Sequence, residues 1–105
     1  MAQYPVARLR RLRYNPLVRD MVRETSLEKN DFIYPLFAVP GTQVKTEIRS
    51  MPHVYQMSLD VLVEECKEVA SLGIPAVILF GIPERKDEVG SGAYDDEGII
   101  QRAVR

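Results

Sequence analysis

The chain has 105 residues, of which 46% are apolar and 28% charged, a composition typical of one soluble globular domain rather than of a disordered protein. The formal net charge of −1 argues against nucleic acid as the partner of the whole chain, although basic residues concentrate near the N-terminus. Since the sequence lacks a secretory signal and any apolar run long enough to span a bilayer, we expect a cytoplasmic protein without a membrane partner.

Residues 1–14 show no periodicity and predict an extended basic arm. Four arginines fall within six residues of it: Arg8, Arg10, Arg11 and Arg13. Their alternation with leucine favours an arm that lies on another subunit over a nucleic-acid-binding segment or a solvated tail, because nucleic acid binding calls for a broader basic face. Asn15 and Pro16 then predict the start of a short helix that ends near residue 24 or 25, since Asn caps helices and Pro is tolerated at the first helical position.

The first predicted strand covers residues 32–39. Pro35 interrupts it and has no N–H to donate, which implies a bulge or an edge at that point. Alternation of apolar and charged residues over 44–49 predicts a short, half-exposed strand. Residues 50–57 are expected to form an ordered loop.

A longer helix is predicted after Ser58, its expected N-cap, and should end at Gly73. Its apolar residues recur at helical spacing and are Leu59, Leu62, Val63, Cys66, Val69 and Ala70. Cys66 is the only cysteine, so an intrachain disulfide framework is excluded. We interpret it as a structural thiol rather than a reactive one, because the glutamates at 64, 65 and 68 would raise its pKa.

The run Ala76-Val-Ile-Leu-Phe80 is continuously apolar. A strand with this pattern is normally covered on both faces, as in a parallel sheet flanked by helices. A long polar loop follows to about residue 95, and such loops are often functional. Asp95 or Asp96 is the expected cap of a final helix with an inner face of Ile99, Ile100, Ala103 and Val104.

Two strand-then-helix units cannot cover both faces of a sheet or close a barrel. We therefore expect the chain to be the beginning of a larger α/β fold. A small α/β module that binds or regulates another protein and carries a basic arm is the alternative, as is a noncatalytic assembly piece.

Side chains that bear chemistry are few and scattered. Five acidic residues in the long loop could offer oxygen ligands to magnesium, namely Asp87, Glu88, Asp95, Asp96 and Glu97, but their spacing matches no calcium loop and favours a solvated loop with a helix cap. His53 has no metal-ligand partner at suitable spacing. Gly90-Ser-Gly92 resembles a phosphate loop only superficially, because it does not directly follow a strand and no Gly-Lys-Ser/Thr follows it.

Taken together, segments along the whole chain resemble the N-terminal third of the porphobilinogen synthase family, also called delta-aminolevulinic acid dehydratase. In chain order these segments are Arg8-Leu-Arg-Arg-Leu-Arg13, Leu17-Val18, Val22-Arg-Glu-Thr25, Phe32-Ile-Tyr-Pro-Leu-Phe37, Ser50-Met-Pro-His-Val-Tyr55, Ser58-Leu-Asp60, Gly73-Ile-Pro-Ala-Val-Ile-Leu-Phe-Gly-Ile-Pro83, Lys86-Asp87, Gly90-Ser91, Ala93-Tyr94 and Gln101-Arg-Ala-Val-Arg105. Any one of them is a weak signal, whereas the ordered set is specific. His53 departs from the family, whose bacterial members commonly carry glycine there.

The resemblance implies a fold and an activity. The fold would be the N-terminal portion of a TIM (β/α)8 barrel, with residues 1–31 as an arm with a short helix and residues 32–105 as the first strand-helix units. The family condenses two molecules of 5-aminolevulinate to porphobilinogen, usually as a homo-octamer in which the arm embraces a neighbouring subunit. It uses two Schiff-base lysines together with zinc, magnesium or both.

None of the family's lysines, metal ligands or substrate-clamping residues maps onto residues 1–105. We therefore assign no catalytic and no metal-binding residue, and expect the chain alone to be inactive. Phe80 ends a strand at the carboxyl-terminal face, where active sites of TIM barrels lie, so it is a candidate for the mouth of the substrate pocket, with a core position as the alternative.

Overall fold

The computed structural model describes residues 3–105, which form a mixed α/β structure around a four-stranded sheet. The strands are β1 (Ile33–Ala38), β2 (Lys45–Glu47), β3 (Tyr55–Met57) and β4 (Ala76–Gly81), and the helices are α1 (Pro16–Met21), α2 (Leu59–Ser71) and α3 (Ile99–Val104). The sheet order is β2-β3-β1-β4. β1 is parallel to both β3 and β4, whereas β2 is antiparallel to β3.

The first part of the predicted arm, residues 3–14 of those described, is not fully extended, although an extended conformation was predicted for residues 1–14. Leu9–Arg13 form a 3-10 turn, and α1 ends at Met21, three or four residues before the expected position. The predicted start of α1 is confirmed, since the Asn15 side chain accepts a 2.9 Å hydrogen bond from the N–H of Val18. Its early end has a physical cause: a short helix depends on packing of its apolar face, and here Leu17 and Met21 are exposed.

Helices α2 and α3 cover the same face of the sheet. The core on that face consists of Leu36, Ala38, Met57 and Leu62, and side chains of α3 such as Ile99 and Ala103 pack against it. The opposite face carries Ile33, Phe37, Ile78 and Phe80, which alternate with the core residues along β1 and β4. No helix among residues 3–105 covers this second face, and none of their helices is long and apolar enough to cross a membrane.

The prediction that β4 is buried on both sides is therefore wrong for this chain. Five of its six residues are exposed and only Leu79 is half-buried. β4 lies at the edge of the sheet, and one of its faces is bare within the described residues. The parallel pairing that its apolar pattern predicted is confirmed, with six consecutive pairs to β1.

Pro35 lies at a local edge, as predicted. β3 pairs with β1 only at Phe37 and Ala38, so the first half of β1 has a strand on one side only. The segment 50–57, expected to be a loop, contains β3 at its end. The sequence signal for β3 was weak because the strand has only three residues, too few to show an alternation.

The ends of α2 follow from its sequence. Ser58 occupies the N-cap position but makes no side-chain capping bond. Its buried hydroxyl instead donates to Asp60 at 2.5 Å and accepts from the N–H of Val44 at 2.9 Å, which ties the helix to the start of β2. At the other end Gly73 has a φ of 83°, and the N–H groups of Gly73 and Ile74 bond back to Ala70 and Val69.

His53 has a φ of 67°, in the left-handed region that residues with a Cβ seldom adopt. Because its N–H donates to the Glu47 carboxylate at 2.8 Å, the turn holds this conformation. We predict that His53→Gly stabilises the chain by about 0.5–1 kcal/mol, since glycine removes the steric cost while keeping the backbone bond. Urea unfolding measures the change. His53→Ala is the control, because it keeps the Cβ and should gain nothing; an equal gain in both variants would contradict the prediction.

Candidate functional site

The carboxyl ends of β1 and β4 meet at one edge of the sheet because the two strands are parallel and in register from Ile33–Ala76 to Ala38–Gly81. The N–H of Ile82 continues the ladder by donating to the Ala38 carbonyl at 2.8 Å. Ligand sites of parallel α/β folds lie at this edge of the sheet. The long loop leaves β4 here, so Phe37, Phe80 and residues 82–98 form the candidate site.

Phe80 projects from the face that the helices do not cover and is 46% exposed. Its ring is stacked on that of Phe37, with 5.4 Å between the ring centroids and 23° between the planes. Phe37 is its direct register partner on β1 and is half-buried. The pair forms an apolar surface at the carboxyl end of the sheet. The sequence pointed to Phe80 but not to Phe37, although the similar aromatic endings of the two strands were a usable signal.

Gly81 allows α3 to pack directly on the end of β4. A Cβ placed on Gly81 would lie 2.7 Å from side-chain carbons of both Ile99 and Ile100, far inside contact distance. The end of the strand therefore lies against the first turn of α3, and the intervening loop must double back at the sheet edge. This close approach accounts for a glycine at the end of an otherwise bulky strand.

The sequence predicted that Asp95 or Asp96 caps the final helix, and this prediction is wrong. Gly98 is the N-cap of α3, and it is packed so closely that an added Cβ would lie 2.6 Å from the Gly92 carbonyl oxygen. Asp95 instead closes the turn before the helix, since its carboxylate accepts from the N–H of Glu97 at 2.9 Å. Because the cap depends on how closely the loop backbone at Gly92 approaches Gly98, the spacing of acidic residues alone could not identify it.

Asp87 organises the first half of the loop. Its carboxylate accepts hydrogen bonds from the hydroxyl of Ser91 and, at 2.9 Å, from the N–H of the same residue. The hydrogen bond from the Ser91 hydroxyl is the main reason why the pKa of Asp87 lies below its usual range. The hydrogen bond from the Ser91 N–H lowers the pKa further. The stretch that superficially resembled a phosphate loop is thus a 3-10 turn, Ser91–Ala93, closed by an acidic residue.

This lowered pKa predicts how the loop responds to acid. Because the folded pKa lies below the unfolded one, the stabilisation from Asp87 is complete above the unfolded value of about 3.9 and is lost as the pH falls through the folded pKa. We expect Ser91→Ala to move the Asp87 pKa back toward 3.9. Carbon-detected NMR titration of the Asp87 carboxyl group measures this, and Ser71→Ala on α2 is the control. The same Asp87 titration in Ser91→Ala and in the parent chain would contradict the assignment.

The acidic residues of the loop do not converge on a metal site. Across residues 3–105 the structure shows no group of three or more His, Cys, Asp or Glu side chains placed to hold a metal ion. Asp87 and Asp95 are engaged by loop N–H groups, and Glu97 forms an ion pair with Arg105 at 3.1 Å. The side chains of residues 3–105 therefore do not fit a zinc or magnesium centre.

A polar cluster that the sequence did not predict lies on the helix-covered side. Lys45 is 3.9 Å from the Glu65 carboxylate and 4.8 Å from the ring centroid of Tyr55. The Tyr34 hydroxyl donates to Glu65 at 3.5 Å, and burial followed by the Glu65 charge raises the pKa of Tyr34. The cluster ties α2 to three strands. It was invisible in the sequence because its members are distant along the chain.

Cys66 borders an apolar groove of about 810 Å³ between α2, β4 and α3, on the face away from Phe80. Burial, and secondarily the charge of Glu65, raises the pKa of the thiol. The partial burial of Cys66 and its raised pKa agree with the prediction of a structural thiol. Of the three glutamates, however, only Glu65 contributes to the pKa shift. The groove lies beside the helices rather than at the strand ends, so its size does not make it the candidate site.

Comparison with known proteins decides the family. A family model described as delta-aminolevulinic acid dehydratase matches residues 6–105, nearly the whole chain. The chain belongs to this family. Among curated members, the dehydratases of Synechocystis sp. and Synechococcus elongatus are 58% and 59% identical to it over 101 residues, which are 96% of this chain and 31% of each relative.

A solved dehydratase confirms the fold of the matched part. The crystal structure of the Toxoplasma gondii delta-aminolevulinic acid dehydratase (porphobilinogen synthase), in complex with its reaction product porphobilinogen, superposes with a TM-score of 0.86 at 35% identity. The match covers 93% of this chain and 28% of that one. The chain thus spans about a third of the length of the dehydratases it matches.

Proposed function

We propose that these 105 residues are the N-terminal part of a porphobilinogen synthase, a lyase that condenses two molecules of 5-aminolevulinate to porphobilinogen in tetrapyrrole and heme biosynthesis. The observation that carries the proposal is the family match over residues 6–105 together with 58% identity to a dehydratase three times as long. We place the protein in the cytoplasm, where the pathway's small soluble substrate would be available.

The one-sided packing of the sheet supports a TIM barrel. In a barrel every helix lies outside and the inner face of each strand is filled by side chains from other strands. Here α2 and α3 lie on one face, while Ile33, Ile78 and Phe80 leave the other face apolar and exposed. We propose that this face is the barrel interior and that the free edge of β4 pairs with the next strand of the full-length protein. Residues 32–105 would then be the first strand-helix units.

We propose that residues 1–31 form an arm that lies on a neighbouring subunit of a homo-oligomer, an octamer by family resemblance. Large apolar side chains of this segment are exposed, including Val6 at 95% and Tyr14 at 80%. The radius of gyration is 22.4 Å, against about 13 Å for a compact chain of this length, so the segment extends away from the sheet. The arginines at 8, 10, 11 and 13 alternate with leucines and would contact that subunit.

Phe80 is our proposed contribution to the substrate pocket, as an apolar wall for the carbon chain of 5-aminolevulinate. The amines that form Schiff bases would come from later strands. Lys45 and Lys67 are unsuited to that role, because they lie on the helix side and form ion pairs with Glu65 and Glu64. The zinc or magnesium of the family would likewise be held by residues outside this chain, since the side chains described here do not fit a metal centre.

A chimera tests the function directly. Residues 5–105 of this chain would replace the matched third of the Synechocystis dehydratase, and pyrrole formation from 5-aminolevulinate would be measured colorimetrically. We expect the chimera to form porphobilinogen, while the 105-residue chain alone and the Synechocystis protein without its matched third form none. A folded, oligomeric chimera without activity would contradict the proposal. Activity of the isolated chain would contradict our view that it lacks the catalytic groups.

A further inference from the structure

We propose that Phe37 is a positioning residue, which holds the ring of Phe80 as one wall of the substrate pocket. This inference rests on the proposed function, because Phe80 must first line that pocket. Its physical basis is the stacked pair at the carboxyl end of the two parallel strands.

The geometry makes Phe37 the supporting member of the pair. Phe80 lies on the edge strand and is 46% exposed, whereas Phe37 lies on the inner strand β1 and is half-buried. An exposed aromatic ring on an edge strand has several accessible orientations. The two ring centroids are 5.4 Å apart and the ring planes are 23° from parallel. Stacking on Phe37 therefore favours the one orientation of the Phe80 ring in which the two rings lie nearly parallel.

The backbone around both residues is well constrained, so the side-chain contact is what sets the ring. Ala38 is fully buried beside Phe37, and the N–H of Ile82 bonds to its carbonyl at 2.8 Å. Gly81, which follows Phe80, lies against α3 with no room for a Cβ. The two strands therefore cannot shift to compensate when one ring is removed.

Removal of the Phe37 ring should loosen the wall without touching the reacting atoms. We expect Phe37→Leu in the chimera to raise KM for 5-aminolevulinate by about 3- to 10-fold, which corresponds to the interaction energy of one aromatic pair. The kcat should change less than about twofold. Phe37→Tyr keeps the ring and should restore most of the affinity. Phe80→Leu should raise KM at least as much.

A double-mutant cycle separates this role from a general structural one. If Phe37 acts through Phe80, Phe37→Leu should have almost no further effect on KM in the Phe80→Leu background. Additive effects of the two substitutions would overturn the positioning role. An effect of Phe80→Leu with none of Phe37→Leu would also overturn it but leave the proposed function intact. If neither substitution changes KM, Phe80 does not line the pocket, and the pocket assignment fails separately from the enzyme assignment.

A measurement on the 105-residue chain checks the contact itself. The ring protons of Phe80 should show an upfield ring-current shift in the parent chain, and Phe37→Leu should abolish it. Phe37→Tyr should preserve it. Unshifted Phe80 resonances in the parent chain would overturn the stacked arrangement independently of any activity.

Discussion

Replacing Ile78 with aspartate should destabilise the isolated chain only slightly but a full-length dehydratase severely. In the 105-residue chain the side chain is 45% exposed on the bare face of the sheet, so we expect Ile78→Asp to cost about 1 kcal/mol or less, mainly from lower strand propensity. In the chimera the same position would face the barrel interior. An unpaired carboxylate there should destabilise the fold by several kcal/mol, on the order of the 3–5 kcal/mol of a buried charge without its partner, and abolish product formation.

The measurements are thermal unfolding and porphobilinogen formation for the chimera, and urea unfolding for the chain. Val89→Asp is the matched control, because Val89 lies 71% exposed in the loop and should tolerate aspartate in both settings. A chimera that keeps its stability and activity with Ile78→Asp would contradict the proposal that this face is the barrel interior.

Replacing Leu36 with alanine is expected to lower the free energy of unfolding of the chain by about 2–5 kcal/mol. Leu36 is 1% exposed and lies at the centre of the core with Ala38, Met57 and Leu62. The free energy of unfolding of a native domain is only about 5–15 kcal/mol, and this core is small. The variant should therefore be largely unfolded under mild denaturing conditions.

Urea unfolding followed by far-UV circular dichroism would measure the change. Leu72→Ala is the control with the same chemistry, because Leu72 is 55% exposed at the end of α2 and should change stability by about 0.5 kcal/mol or less. Equal effects at the two positions would show that the helices do not pack on β1 as the structure describes. In the chimera the loss at Leu36 should appear as a lower unfolding temperature.

The local sequence identified several elements because their signals are local. The Asn15-Pro16 start of α1, the apolar stripe of α2 and its stop at Gly73 were predicted from residues within one or two turns. The apolar run of β4 predicted its parallel pairing. In contrast, two features escaped prediction. The three-residue strand β3 is defined by its pairing with β1 and β2, and the Gly98 cap by the close approach of the loop backbone at Gly92.

The residues of the candidate site likewise fall into those that could be predicted from the sequence and those that could not. Phe80 was identified from its place at the end of a strand, a property that can be read along the chain. Phe37 was missed because its importance comes from register: pairing of Phe37 with Phe80 brings together rings that are 43 positions apart. The Tyr34–Glu65–Lys45 cluster has the same origin.

The family could be predicted from the amino-acid sequence alone, because a set of short segments in a fixed order is specific even where each segment is weak. The sequence also determined the start of α1, the end of α2 and the parallel pairing of β4, which depend on backbone chemistry and apolar pattern. Which face of β4 is covered emerged from the packing of the helices, since a continuous apolar run is equally compatible with either face. With α2 and α3 on one side, the bare side becomes the proposed barrel interior, and the exposed ring of Phe80 becomes available for the pocket role that we propose.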